Sequence, residues 1–182
     1  MGGKVFLRYL SLIVIFLSSL AFAAEGGEAD LFSKMRINPI KGDKKAPDFS
    51  LKDLTGKKVE IKDYKGKIVF LNFWATWCGP CKEEMPSLEV LHEKFKGEKF
   101  VLLTVSVDYE GSKVVHGFLD KHNFTFPVLL DPNGETLDLF EVKGIPTTFI
   151  IDKKGRVIGR AIGSRDWKSP EVFSLINLLV GK

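Results

Sequence analysis

The chain has 182 residues, 45% of them hydrophobic, with fifteen Phe and three Trp, enough for the core of one globular domain plus short extras but not for two domains. Its 27 basic and 23 acidic residues give a formal charge of +4; setting aside Lys4 and Arg8 of the N-terminal segment leaves 25 against 23, or +2. With the basic residues scattered and not gathered into a stripe, that balance gives no footprint for nucleic acid, and none is expected as a partner.

In chain order, Lys4 and Arg8 precede an apolar run from Tyr9 to Phe22 broken only by Ser11, Ser18 and Ser19, and Ala21-Phe22-Ala23 completes a small-x-small cleavage site. The run is shorter than the roughly 20 residues of a spanning helix, which favours a cleaved signal peptide over residues 1–23 against a retained anchor. The protein is therefore expected to be exported, to the bacterial periplasm or the outer face of the cytoplasmic membrane. It would meet the membrane only through this segment if uncleaved. Residues 24–45, rich in Gly, Glu, Asp and Lys without a sustained period, read as a flexible tether.

The domain is expected over residues 46–182, opening at Ala46-Pro47-Asp48-Phe49 with a β-hairpin whose arms are 49–53 and 58–61. The near-continuous apolar run Ile68–Trp74 predicts a buried central strand. A helix follows, with Met85, Leu88, Leu91, His92 and Phe95 at helical spacing. Further strands are expected at 100–107 and 126–130, helices at 111–122 and 136–140, and a hairpin of 147–151 with 156–162. A closing helix spans Pro170–Val180, with Ser169 as N-cap and Pro170 in its first position. Strands alternating with helices and ending in a hairpin plus helix indicate an α/β sandwich with a mixed central sheet.

Both cysteines of the chain lie in Trp77-Cys78-Gly79-Pro80-Cys81, at a strand-to-helix junction. A bridge closing so short a loop restricts the unfolded chain very little, so the pair is there for chemistry and not as a staple. Cys78 falls at the helix N-terminus, where unpaired N–H groups and the dipole favour a thiolate, the attacking species in disulfide exchange. Cys81, one turn on and facing inward, would resolve the mixed disulfide that Cys78 forms with a substrate. Pro80 suits the first turn, and Pro86, deeper, removes one intrahelical bond. Gly144-Ile145-Pro146-Thr147-Thr148 sets a proline at a strand start. Alone it reads as an ordinary strand-start proline; as a cis-Pro loop facing the cysteines it would leave the Ile145 backbone free to pair with an extended substrate.

Together these residues resemble the thioredoxin superfamily over about residues 46–182. Phe73–Lys82 is similar to its active-site stretch, Pro86 to its helix-kink proline and Ile145-Pro146-Thr147 to its cis-Pro loop. The export signal, the N-terminal hairpin and Cys81-Lys82-Glu83-Glu84-Met85-Pro86 resemble the exported TlpA/ResA-type branch, and the region between Asp108 and Phe140 is similar to its central insert. The resemblance implies a thioredoxin-like three-layer sandwich. It also implies a reductase of protein disulfides, with apocytochrome c as a substrate and a membrane protein as electron donor. Asn72 stands where cytosolic thioredoxin has a buried aspartate. Glu84, three residues after Cys81, is the candidate base, and Glu83 an ordinary solvated glutamate.

Trp77 is expected to shield the site and offer a contact surface, and Trp74 to be core. His92, His116 and His122 show no metal spacing with the cysteines, and neither cofactor nor metal is expected. The Gly79-Pro80 dipeptide supplies no histidine to stabilise a Cys78 thiolate, which favours a reductant over an oxidant. A rival use of the same pair is a copper-site assembly factor, since two thiolates hold Cu(I), although no third ligand is recognisable nearby. A peroxidase of the related peroxiredoxin group would use a lone cysteine in a different setting.

Overall fold

The computed structural model describes residues 27–181. The expected signal peptide lies outside them. In chain order the elements are helix α1 (27–34), β1 (Asn38–Pro39), β2 (Ser50–Asp53), β3 (Lys58–Glu60), a 3-10 turn (Ile61–Tyr64), β4 (Ile68–Trp74) and α2 (Gly79–Phe95). There follow β5 (Phe100–Ser106), α3 (Ser112–His122), β6 (Val128–Leu130), α4 (Glu135–Leu139), β7 (Thr147–Ile151), β8 (Val157–Ile162) and α5 (Pro170–Val180). The strands form one mixed sheet in the order β1-β8-β7-β4-β5-β6-β2-β3. The pairs β4–β5 and β5–β6 are parallel, and β7 and β8 run antiparallel beside β4. The N-terminal hairpin joins the sheet through β2, antiparallel to β6. Among the described residues no helix is long and apolar enough to cross a membrane.

Strand β4 shows why the apolar run was legible. Ile68, Phe70 and Trp74 pack on one face with Met85, Leu88 and Leu91 of α2 and Leu175 and Ile176 of α5. Val69, Leu71 and Phe73 pack on the other with Phe49, Phe140 and Phe149. Both faces are covered, so the strand carries no polar alternation except Asn72, which lies on the α2 side. Strand β6 begins two residues later than expected because Pro127 has no N–H for the ladder, while the Pro127 carbonyl still accepts from Thr104. Ser169 caps α5 as expected, its hydroxyl accepting from the Val172 N–H.

The tether reading of residues 24–45 is corrected over its described part. Phe32 and Ile37 are buried in the core, β1 pairs with β8, and the Ala46 and Val157 N–H groups bond to Gly155 and Lys44 carbonyls. A helix as short as α1 is marginal on its own in water and persists here because Leu31, Phe32 and Met35 give it an apolar side against the domain. Gly159 on β8 makes room for that contact. A Cβ there would stand 2.9 Å from Ile37 Cγ2 and 3.0 Å from Phe32 Cε2. The domain therefore starts at or before residue 27, and not at residue 46.

Candidate active site

Cys78 is the N-cap of α2, extended at φ −81° and ψ 109°, and its Sγ accepts from the Cys81 N–H at 3.2 Å. Pro80 sits in the first turn, where no intrahelical N–H is missed. The two cysteines are joined as a disulfide with Cα atoms 5.2 Å apart. Cys78 keeps 6% of its surface exposed and Cys81 none, so a partner can reach only the first sulfur directly. The backbone donor on Cys78 and the helix N-terminus both favour negative charge at that sulfur once the bridge is opened.

The Ile145–Pro146 peptide is cis, and the Ile145 carbonyl oxygen lies 3.8 Å from Cys78 Sγ. The structure thus brings Ile145, Pro146 and Cys78 together. Ile145 is half-buried and Pro146 buried. Trp77 is 63% exposed next to the disulfide, and Trp74, as expected, is fully buried in the core.

Glu84 is enclosed, with 1% of its surface exposed, and Glu83 beside it is open to solvent. One oxygen of Glu84 accepts from Asn72 Nδ2 (2.8 Å), the other from the Trp167 indole Nε1 (2.8 Å) and the Arg165 N–H (3.1 Å). Burial raises its pKa to about 7; the bonds from Trp167, Asn72 and Arg165 oppose the shift without cancelling it. Asn72 also donates to Thr148 Oγ1 at 2.9 Å, because the two stand opposite each other in the β4–β7 register. The amide in the place of thioredoxin's aspartate therefore positions a carboxylate supplied by the helix.

Sequence reasoning missed Trp167, Arg165 and Thr148 as partners of this cluster. The available signal was a lone Trp in the otherwise polar stretch 163–169, directly ahead of a helix cap. It also missed Asp108, buried at the end of β5, which accepts from both the N–H and the hydroxyl of Thr76. Among the described residues no group of three or more His, Cys, Asp or Glu side chains is placed to hold a metal ion.

A mixed sheet with a dithiol pair at a helix N-terminus, facing a cis-proline, defines a thioredoxin-like thiol–disulfide oxidoreductase, a protein-disulfide reductase by class. Residues 43–160 match the AhpC/TSA family. The chain is 38% identical over 162 residues to the thiol-disulfide oxidoreductase ResA of Bacillus thuringiensis subsp. konkukian, covering 89% of this chain and 90% of that protein. To ResA of Bacillus subtilis it is 42% identical over 119 residues, 65% of this chain and 66% of that one. The crystal structure of StoA from Bacillus subtilis superposes with a TM-score of 0.62 at 28% identity, over 71% of this chain and 97% of that structure. The chain belongs to the AhpC/TSA family and, within it, to the ResA-type thiol–disulfide oxidoreductases.

Proposed function

We propose that the protein is an exported reductant of protein disulfides, acting in the bacterial periplasm or at the outer face of the cytoplasmic membrane, with apocytochrome c as substrate. The observation that carries the chemistry is the asymmetry of the pair. Cys78 keeps 6% of its surface exposed and has a backbone donor on its sulfur, and Cys81 is fully enclosed on the helix that also carries Glu84.

In the reduced protein, Cys78 thiolate attacks one sulfur of a substrate disulfide, forming a mixed disulfide and releasing the first substrate thiolate. Trp77 and the Ile145–Pro146 loop receive the substrate chain. Glu84 takes the Cys81 proton, and the new thiolate attacks Cys78 Sγ, releasing the second substrate thiolate and leaving the Cys78–Cys81 disulfide. Two electrons pass to the substrate, and a membrane dithiol protein restores them. Export is supported by the basic and apolar pattern of residues 4–22 with its small-x-small site.

The direction of electron flow rests on Gly79-Pro80 between the cysteines, which offers the reduced form no histidine. Equilibration with glutathione or thioredoxin of known poise tests it. The expected midpoint is nearer about −270 mV than about −120 mV. A value at the oxidising end overturns the reductant reading and makes the protein an oxidant of folding substrates.

A further inference from the structure

Two features at the edge of the site are unused by the chemistry above. Tyr109 is 77% exposed, more than Trp77, and no core contact explains an aromatic there. The residue before it, Asp108, is 1% exposed and ties the β5–α3 loop to the loop that carries the nucleophile. Its carboxylate accepts from the Thr76 N–H at 3.0 and 3.2 Å, from Thr76 Oγ1 at 2.6 Å and from Ser106 Oγ at 2.8 Å. Just below this clasp the Val107 N–H bonds to the Trp74 carbonyl at 3.0 Å.

A charge-assisted pair of bonds to one residue fixes both position and orientation. Thr76 and Asp108 are thereby held in contact, and Trp77 and Tyr109 each follow one Cα step later, about 3.8 Å along the chain. Single exposed aromatics are common and mean little. Here each exposed aromatic directly follows one member of the hydrogen-bonded Thr76–Asp108 pair, close to a reactive sulfur, and aromatic side chains give large contact area at little entropic cost.

We propose that Trp77 and Tyr109 form one docking ridge for the polypeptide around a substrate disulfide, and that Asp108 is the positioning residue that sets the ridge against Cys78. The partner is an extended segment, with apolar or aromatic residues flanking its cysteine, that also lies along the Ile145 main chain. Trp77 at the ridge was assigned above; Tyr109 and Asp108 are new. The inference rests on exchange with protein disulfides and holds for either direction of electron flow.

The test compares two substrates of the full-length protein: a protein disulfide (insulin) and an aliphatic one (bis(2-hydroxyethyl) disulfide). For Tyr109→Ala the ratio of kcat/KM for insulin to that for the small disulfide is expected to fall about 10-fold, chiefly through KM, with Tyr109→Phe restoring it. Thr76→Val, which keeps side-chain shape and the main-chain bond but deletes the hydroxyl bond to Asp108, is expected to lower the same ratio by a smaller factor. An unchanged ratio in Tyr109→Ala overturns the proposal, whether both rates stay or both fall together. Failure of the unaltered protein to reduce insulin would instead overturn the protein-disulfide activity itself.

Discussion

Asn72 on β4 donates to Glu84 on α2 over 2.8 Å, and so fastens to the sheet a carboxylate whose other oxygen is held by the 165–167 loop. Asn72 Oδ1 has no hydrogen-bond partner among the described residues, while its Nδ2 donates to both Glu84 and Thr148. Glu84→Gln keeps the size of the side chain and an oxygen for the Trp167 and Arg165 bonds, and removes the base. With the base gone, resolution by Cys81 should slow by about 100-fold near neutral pH while first attack by Cys78 stays within a few fold. Stopped-flow reduction of a model disulfide across pH separates the two steps. Equal resolution rates in variant and unaltered protein would make Glu84 a structural residue only.

The same carboxylate makes stability depend on pH with a definite sign. Its folded pKa, about 7, lies above the ordinary 4.5, so the native state holds a proton that the unfolded chain has lost between those values. Stability therefore declines as pH rises from about 4.5 through 7, by on the order of 3 kcal/mol for a shift of this size. Glu84→Gln should lack that decline. Urea denaturation of both oxidised proteins at pH 5 and pH 8 checks it, and parallel slopes would mean that Glu84 ionises as an ordinary glutamate.

Division of labour between the cysteines should show in trapping. Cys81→Ser should accumulate mixed disulfides through Cys78 when incubated with oxidised protein substrates, since nothing remains to resolve them. Cys78→Ser should trap nothing and lose insulin reduction. Trapping by the Cys78 variant would reverse the two roles, and non-reducing electrophoresis reads the difference.

Docking of the N-terminal segment is open to a thermodynamic test. Phe32→Ala deletes a buried ring and should cost about 3 kcal/mol. Gly159→Ala forces Ile37 and Phe32 to retreat from a 2.9 Å contact and should cost about 1–3 kcal/mol. Thermal denaturation measures both, with limited proteolysis showing earlier cleavage ahead of β2. A melting temperature unchanged in both variants would mean that α1 lies against the domain without stabilising it.

The elements readable from sequence share a cause: each announces itself over several adjacent residues. Ile68–Trp74 is apolar on both faces, Ser169-Pro170 gives a cap and a first turn together, and Cys78, Cys81 and Glu84 fall on successive turns of one helix. Burial of Glu84 followed from its three-residue spacing to Cys81. What stayed hidden depends on single residues meeting across the fold. Trp167 reaches Glu84 from 83 positions away, and Asp108 grips Thr76 from 32 away. Phe32 and Ile37 sit singly in a stretch whose composition is that of a linker, and the groove that receives them is created by the absent side chain of Gly159.

Docked, α1 changes how far the active site can stray from its point of origin. A free linker over residues 24–45 would give the domain a radius of up to about 75 Å, enough to search well away from a bilayer. With residues 27–45 folded onto the domain, that stretch no longer contributes to such a reach. For any fraction of the protein that keeps residues 1–23, Cys78 would then work closer to its point of attachment than a free linker over 24–45 would allow.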